Sequence, residues 1–386
     1  MMHKERINVG WIIGDLPHRA GVFRRVRTDI GGVSLARYDW LMRHVNARPA
    51  FGIRHERHVP RRRYDVVIFL KTMGGNSMET LAEARRRGAR ILFDVNVNYF
   101  ERDGAEYYEG MLPTARQQAD TIEMARAVDG VIADSSFLES VSRRYSGRVK
   151  WIPDNVELAQ IPPYRPSRIG VKPLQLLWSG EAVKLFEFLS IEDVLRRYAP
   201  WIELVFVTNT LAALDRWHPP YRERFQSLLR YVPHRIVPFR SIAELFDVYA
   251  QGGVLISPRF LDNSYNLGHT EWKITLGMAC GRMAMCSPLP SYLDVAERSG
   301  GRGIRVCETP EDWERALDAL LSGGIVVEEE EGAARNVVEA HYSTRAVARM
   351  HSLFLKEVVR GETAADPGAK DVDAGMYGAA RAGDRR

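Results

Sequence analysis

Short apolar runs alternate with more polar, helix-like stretches along most of the chain. Two of the helix-like stretches cover 81–88 and 114–130, and we expect them to end at Gly88 and Gly130. Strands that alternate with helices form a parallel sheet with helices on both faces. The apolar runs that predict a first sheet of this kind are INVGWII (7–13), DVVIFL (65–70), RILFDV (90–95), GVIAD (130–134) and VKWIP (149–153).

A proline-rich stretch, IPPYRPSRIGVKP (161–173), interrupts this pattern, and the alternation then starts again. We therefore predict an α/β chain with two doubly wound, Rossmann-like domains that face a cleft, over residues 1–165 and 166–340. Apolar residues at helical spacing predict a helix over 341–360, and the charged, Gly- and Ala-rich segment 361–386 is expected to be disordered. The second series of runs is LQLLWSG (174–180), IELVFVT (202–208), HRIVPF (234–239), GVLISP (253–258), MAMCSP (283–288) and GIRVC (303–307).

Positive charge is concentrated in the first part of the chain. Residues 1–100 hold 19 Lys and Arg against 9 Asp and Glu, although the net charge of all 386 residues is only +5. Acidic lipids attract arginine clusters such as 61–63 and 85–87, so an anionic membrane surface is one expected partner; a solvated, arginine-rich surface is the alternative. No zinc-finger, helix-turn-helix or RNP pattern accompanies the arginines, so nucleic acid is not an expected partner.

Several other classes of protein are disfavoured. The longest apolar runs are far shorter than the ~20 residues of a membrane-spanning helix, and the N-terminus lacks the apolar core of a signal peptide. We therefore expect a cytoplasmic protein, with peripheral binding to the inner face of the membrane as a further expectation. The three cysteines form no CxxC pair and the ten histidines form no metal-binding motif, so neither a metal nor a cofactor is expected.

The stretch SYNLGHTEWKITLGMACG (264–281) joins a polar loop to the start of a helix. A helix N-terminus presents free backbone N–H groups and the positive end of the helix dipole, and both favour a phosphate. If the helix begins near residue 265, His269 and Lys273 lie one turn apart, and Asn266 lies one turn earlier. We therefore expect three donors to converge on a diphosphate, with the helix stopped at Gly281.

The same stretch resembles the pattern D-x-x-x-N-x-x-K-S-x-x-K-x-x-E-x-x-A-x-G of glycosyltransferase family four. The segments 129–158 and 287–292 are also similar to parts of that family, so the resemblance spans roughly residues 125–355. The positions that carry it most specifically are Asp262, Asn266, His269, Thr270, Lys273, Ala279 and Gly281.

The resemblance implies a GT-B enzyme that needs no metal and moves a sugar from a nucleotide-sugar donor in the second domain to an acceptor in the first, with retention. It also implies that the helix over 341–360 crosses back to the first domain, and it allows a cell-envelope glycan or a lipid-linked molecule as acceptor. The residues expected to act in catalysis are Lys273, His269 and Lys184. The residues expected to bind substrate are Asp262, Asn266, Thr270, Glu271, Gly180, Gly31 and Gly32, and His18 is a candidate base.

Two departures from the family pattern bear on activity. The family's Lys-Ser is His269-Thr270 here, and its acidic residue, usually the ligand of the donor ribose, is Leu276, which cannot accept from a hydroxyl. Glu271 is a candidate substitute. Two alternatives therefore stay open: a non-catalytic GT-B subunit that binds a nucleotide or sugar, which Leu276 favours, and a nucleotide-sugar epimerase, which needs acidic residues in the cleft.

Overall fold

Two parallel sheets of six strands each form the framework of residues 6–14 and 35–361, the part of the chain described by the computed structural model. The strands of the first sheet are Ile7–Ile13 (β1), Ile53–Arg57 (β2), Val66–Leu70 (β3), Arg90–Val95 (β4), Gly130–Ala133 (β5) and Val149–Trp151 (β6). Their spatial order is β2-β1-β3-β4-β5-β6, and every pairing is parallel. The strand order therefore reverses between β1 and β3.

The second sheet is built in the same way. Its strands are Leu174–Ser179 (β7), Ile202–Thr208 (β8), His234–Pro238 (β9), Val254–Ser257 (β10), Ala284–Cys286 (β11) and Ile304–Val306 (β12). Their spatial order is β12-β11-β10-β7-β8-β9, again with parallel pairings throughout. The strand order of this sheet reverses between β7 and β10.

Helices cover both faces of each sheet. In chain order they are Trp40–Asn46 (α1), Gly75–Arg86 (α2), Ala115–Ala127 (α3), Ser136–Ser142 (α4), Glu192–Tyr198 (α5), Pro219–Tyr231 (α6), Ile242–Gln251 (α7), Ser264–Leu267 (α8), Trp272–Ala279 (α9), Pro290–Ser299 (α10), Pro310–Ser322 (α11), Val327–Val337 (α12) and Thr344–Arg360 (α13). The π-helical segments are Leu35–Asp39 and Val338–Tyr342. The 3₁₀-helical segments are Pro49–Phe51, Leu158–Gln160, Ala182–Ile191 and Leu211–Arg216. Within the described ranges, no helix is both long and apolar enough to cross a membrane.

The predicted α/β class with two doubly wound sheets is confirmed. Its clearest signal is a run such as VVIFL, in which all five residues of β3 are buried, as expected for a strand covered on both faces. The sequence pattern missed β2, whose IRHER sequence alternates buried and exposed positions at the edge of the sheet. The helix expected over 114–130 ends at Ala127 instead, because Val128 is already extended and Gly130 is the first residue of β5.

The last helix, α13, packs on the first sheet although it follows the second sheet in the chain. Its side chains Val347, Phe354 and Leu355 are buried in the same apolar cluster as residues of β1 and β3. The backbone of Val156 holds the start of this helix, since it donates to Tyr342 O and accepts from Thr344 N. This helix therefore joins the two halves of the molecule.

A loop of the first domain makes the reverse contact. The ring of Tyr107 stacks on Phe186 with 4.7 Å between ring centroids, inside the apolar core of the second domain. Gly104 pairs with Asn263 in an isolated antiparallel bridge. Only glycine fits at this point, because its φ is +103° and a Cβ would lie 2.0 Å from Asp262 O. The loop fixes the start of the segment that carries the candidate site.

Two buried histidines lie where α13 meets the first sheet. His55 Nδ1 accepts from Trp11 Nε1 at 3.0 Å, and the His351 ring stacks on Trp11 at 5.7 Å and lies 5.5 Å from the His55 ring. Neither ring nitrogen of His351 has a hydrogen-bond partner among the described residues. Burial lowers the pKa of His55 to about 3; burial, and then the charges of His55 and Arg37, lower the pKa of His351 well below its ordinary value.

This histidine pair should make the fold sensitive to acid. A histidine that stays neutral in the folded chain but titrates near pH 6.5 in the unfolded chain stabilises the fold above that pH. Between pH 7 and pH 5, each such histidine lowers the free energy of unfolding by about 2 kcal/mol. His351→Phe keeps the ring stack, so the loss of unfolding free energy between these pH values should shrink by about that amount. Urea unfolding at both pH values measures this. The exposed His234→Gln variant should respond like the wild type, and an unchanged response of His351→Phe would contradict the account.

Candidate functional site

The candidate site lies where the strand order of the second sheet reverses. In open parallel sheets, the strands on either side of a reversal diverge and leave a crevice beyond their carboxyl ends. Here these strands are β7 and β10. Gly180 directly follows β7, and Arg259 comes two residues after β10. The topology therefore brings these positions to one crevice, which faces the first domain.

Basic side chains from three segments meet at this crevice: Lys184, Arg259, His269 and Lys273. Lys184 Nζ lies 3.0 Å from His269 Nε2. Burial, and then the charges of Arg259 and Lys184, lower the pKa of Lys273 well below its ordinary value. Burial and the same neighbouring charges also lower the pKa of His269. A neutral His269 accepts from the Lys184 ammonium, so His269 holds Lys184 in place.

One buried carboxylate, Glu187, belongs to this basic cluster. Glu187 Oε1 lies 3.3 Å from Arg259 Nη1, and the two side chains are only 1% and 2% exposed. Glu187 Oε2 accepts from the backbone N–H of Phe260 at 2.8 Å and from Asn266 Nδ2 at 3.2 Å. In their charged forms, Arg259, Lys184 and Lys273 carry more positive charge than one carboxylate balances; burial, and then this repulsion, lower the pKa of both lysines. An anionic ligand would supply the missing charge.

Lys273 is the least satisfied member of the cluster. Its ammonium lies 4.5 Å from the centre of the Trp178 ring, and no hydrogen-bond acceptor within the described part of the chain reaches it. Gly180 leaves space for it, because a Cβ at that residue would lie 2.7 Å from Lys273 Nζ. A buried ammonium without an acceptor is poised to donate to a ligand.

The segment expected to start one helix near residue 265 forms two. Asn263 caps the short helix α8, which ends at Leu267, and α9 starts only at Trp272. The break at 268–271 still brings His269 and Lys273 to the same basic cluster, although they are not neighbours on one helix face. Asn266 differs from the expectation, because its amide donates to Glu187 and to Phe260 O. It therefore orients Glu187 and has no free donor for a phosphate.

Asp262 and Thr270 connect this segment to the first domain. Asp262 Oδ2 accepts from Tyr107 Oη at 2.6 Å, and Thr270 Oγ1 donates to Asp154 Oδ2 at 3.0 Å. Asp154 follows β6 of the first sheet. Both side chains, expected to bind substrate, thus make contacts between the domains.

A group of acidic side chains from both domains lies at their junction. Arg37 bonds both oxygens of Asp94, and its Nη1 lies 3.4 Å from Asp154. Asp134 and Glu271 are 0% exposed, and neither carboxylate accepts a hydrogen bond from another residue within the described ranges. Burial raises the pKa of both side chains, and the charge of Asp154 raises each further. These two carboxyl groups therefore hold protons more readily than ordinary exposed carboxyl groups do.

The position of Glu271 bears on its expected contact with a donor ribose. The neighbouring charges that shift the pKa of Glu271 are Asp154, Asp294 and Arg298. The carboxylates that act on the pKa of Lys273, in the basic cluster, are Glu187 and Glu181. Glu271 thus belongs to the acidic group at the domain junction. Leu276 is buried in an apolar cluster of the second domain.

Other expected features fall outside the described residues or concern metals. Gly31, Gly32 and the candidate base His18 lie in 15–34, outside the described residues, and so does the segment 362–386. Within 6–14 and 35–361, no group of three or more His, Cys, Asp or Glu side chains is arranged to hold a metal ion.

Sequence reasoning missed Glu187 and Arg259. Arg259 gives a signal in principle, since it directly follows Ser257-Pro258 at the end of a predicted buried strand, where ligand-binding residues concentrate. Glu187 gives none, because it lies within an apolar stretch, LFEFL, and only the folded chain places it against Arg259.

Comparison with known proteins gives matches by structure only. No protein-family model and no curated protein matches the sequence. A glycosyltransferase from Rickettsia africae matches with a TM-score of 0.61 and 11% identity, over 93% of this chain and 100% of that one. The Anabaena protein HepE, solved with UDP-glucose, matches with a TM-score of 0.59 and 10% identity over 91% and 100%.

Sucrose-phosphate synthase from Thermosynechococcus elongatus also matches, with a TM-score of 0.56 and 14% identity over 77% of this chain and 74% of that one. At these identities the likeness concerns the fold. The chain has the GT-B fold of these glycosyltransferases, as the sequence predicts.

Proposed function

We propose that the protein is a glycosyltransferase that takes a sugar from a nucleotide-sugar donor. The observation that carries this proposal is the buried basic cluster at the β7/β10 reversal, which has a free ammonium at Lys273 and one carboxylate, Glu187, already paired with Arg259. A diphosphate supplies the missing negative charge. The GT-B neighbours, one of them solved with UDP-glucose, support a nucleotide sugar as the source of this diphosphate.

In this proposal, the protein stabilises the charge that develops on the leaving diphosphate. Lys273, Arg259 and Lys184 donate to the phosphate oxygens, and His269 positions Lys184. Because these donors are buried and fixed before the reaction, they act on the developing charge without reorganisation. The first domain holds the acceptor, a glycan or a lipid-linked molecule. The protein's basic side chains supply the positive charge, so the proposal includes no metal. The resemblance to family four supports retention of the anomeric configuration.

We assign the contact with the donor ribose to Glu181. This exposed carboxylate directly follows Gly180, and its negative charge acts on both Lys184 and Lys273. It therefore lies near both ammonium groups. A carboxylate accepts hydrogen bonds from the vicinal hydroxyls of a ribose, which a buried Leu276 cannot do.

Glu181→Ala should weaken the binding of a nucleoside diphosphate by about tenfold or more, since a hydrogen bond to a charged group contributes about 1.5–3 kcal/mol. Inorganic pyrophosphate lacks a ribose, so its binding should stay the same or tighten once a nearby negative charge is gone. Calorimetric titration of wild type and variant with both ligands measures the difference. Equal losses for the two ligands would contradict the assignment.

A product assay tests the proposed reaction. The full chain is incubated with UDP-, GDP- and ADP-sugars and candidate acceptors, with and without a chelator, and products are separated by mass spectrometry. We expect release of a nucleoside diphosphate and a glycosylated acceptor in both conditions, with the anomeric configuration of the donor kept in the product. An epimerised sugar would favour the epimerase, for which the buried Asp134 and Glu271 are acidic candidates. Binding without any product would favour the non-catalytic subunit.

A further inference from the structure

A cavity lies in the first domain, away from the basic cluster. Its volume is about 380 Å³, and it runs between α2 and the loop at 58–64. It follows one face of α2, from Asn76 through Thr80 to Arg87. Its floor is apolar and consists of Ile12, Tyr64, Val67, Phe69, Ala84 and Ala89.

Arginines from two distant parts of the sequence meet at the mouth of this cavity. Arg61 and Arg62 come from the loop, and Arg87 comes from the end of α2. Arg62 pairs with Glu56 at 2.9 Å and Arg87 pairs with Glu83 at 2.5 Å. Arg61 forms no ion pair within the described part of the chain. Members of both sequence clusters, 61–63 and 85–87, therefore line one cavity, which the sequence alone cannot show.

The position of the cavity suits a ligand. Its floor includes residues of β1 and β3, between which the strand order of the first sheet reverses, and Thr72, beyond the carboxyl end of β3, also lines it. Such reversals are the usual ligand positions of parallel sheets. A volume of this size lies in the range of small-molecule sites.

We propose that this cavity binds an anionic phospholipid, which holds the first domain at a membrane surface. An acyl chain of the lipid lies on the floor between α2 and the loop. The lipid phosphate receives charge-assisted hydrogen bonds from Arg61, Arg62 and Arg87. An apolar ligand alone would leave the unpaired guanidinium of Arg61 unused, and a small soluble anion would leave the apolar floor to water. The proposal is independent of the glycosyl transfer proposed above.

Vesicle binding by the full chain tests this proposal with matched variants. The protein is sedimented with vesicles of phosphatidylcholine alone or mixed with phosphatidylglycerol. The variant Arg61→Gln/Arg87→Gln removes two charges at the cavity mouth. The control, Arg63→Gln/Arg86→Gln, removes two charges from the same clusters at exposed residues that do not line the cavity. Circular dichroism spectra that match the wild-type spectrum show that both variants keep the wild-type fold.

We expect the wild type to bind only the mixed vesicles, and the Arg61/Arg87 variant to lose about tenfold or more of this affinity. The Arg63/Arg86 control should lose several-fold less. Thr80→Trp fills the middle of the cavity without changing charge, so it should also weaken binding. Equal losses for the two charge variants, or no effect of Thr80→Trp, would overturn the proposal in favour of general surface attraction. Binding of glycerol phosphate as tight as binding of the mixed vesicles would overturn it in favour of a soluble anion.

Discussion

Replacing Lys273 with methionine should lower glycosyl transfer by about 100-fold or more, because a fixed donor to a developing negative charge typically contributes about 10²–10³ in rate. Methionine keeps the length of the side chain and its packing on Trp178, so the fold should stay intact. The measurement is the rate of nucleoside diphosphate release from the nucleotide sugar that the wild type consumes.

The matched control is Lys150→Met, which removes the same charge from an exposed position on β6. Its rate should equal that of the wild type. Full activity of Lys273→Met would show that this ammonium does not contact the diphosphate. A variant that is inactive because it unfolds is recognised by its circular dichroism spectrum.

The Glu187–Arg259 pair should give the largest effect on stability. Glu187→Leu leaves a buried guanidinium without its carboxylate, which should lower the free energy of unfolding by about 3–5 kcal/mol. The double variant Glu187→Leu/Arg259→Met replaces the whole pair with apolar side chains of similar size, and such replacements are often nearly neutral. Part of the lost stability should therefore return in the double variant, whereas the loss of the acceptor for Phe260 N–H and Asn266 remains in both.

Urea unfolding followed by tryptophan fluorescence measures both variants against the single Arg259→Met. The stability recovered by the double variant should not bring back diphosphate binding, because Arg259 is one of the proposed donors. If the double variant is as unstable as Glu187→Leu, the two side chains are not energetically coupled. If it binds the diphosphate like the wild type, Arg259 lies outside the site.

The sequence predicts the sheets well because the burial of a central parallel strand is a local property. All five residues of VVIFL in β3 are apolar and buried, and the pattern needs no knowledge of the neighbours. The edge strand β2 is missed because it pairs with one strand only and buries one face only, so its sequence has no continuous apolar run.

The candidate site is only partly predictable for a related reason. Lys273 and His269 lie in a segment whose composition favours a phosphate, and both belong to the basic cluster. The role of Asn266 depends on Glu187, which is 79 residues away in the chain, so spacing along one segment cannot reveal it. Within the break at 268–271, Thr270 likewise contacts Asp154 in the other domain, which spacing along the segment cannot reveal.

The central claim is that the buried basic cluster binds the diphosphate of a nucleotide sugar. Calorimetric titration of the wild type and Lys273→Met with UDP, GDP and ADP, each compared with its monophosphate, tests it most directly. We expect one diphosphate to bind once per chain and about tenfold or more tightly than its monophosphate, with this preference lost in the variant. No binding of any diphosphate, or the same preference in both proteins, would contradict the claim.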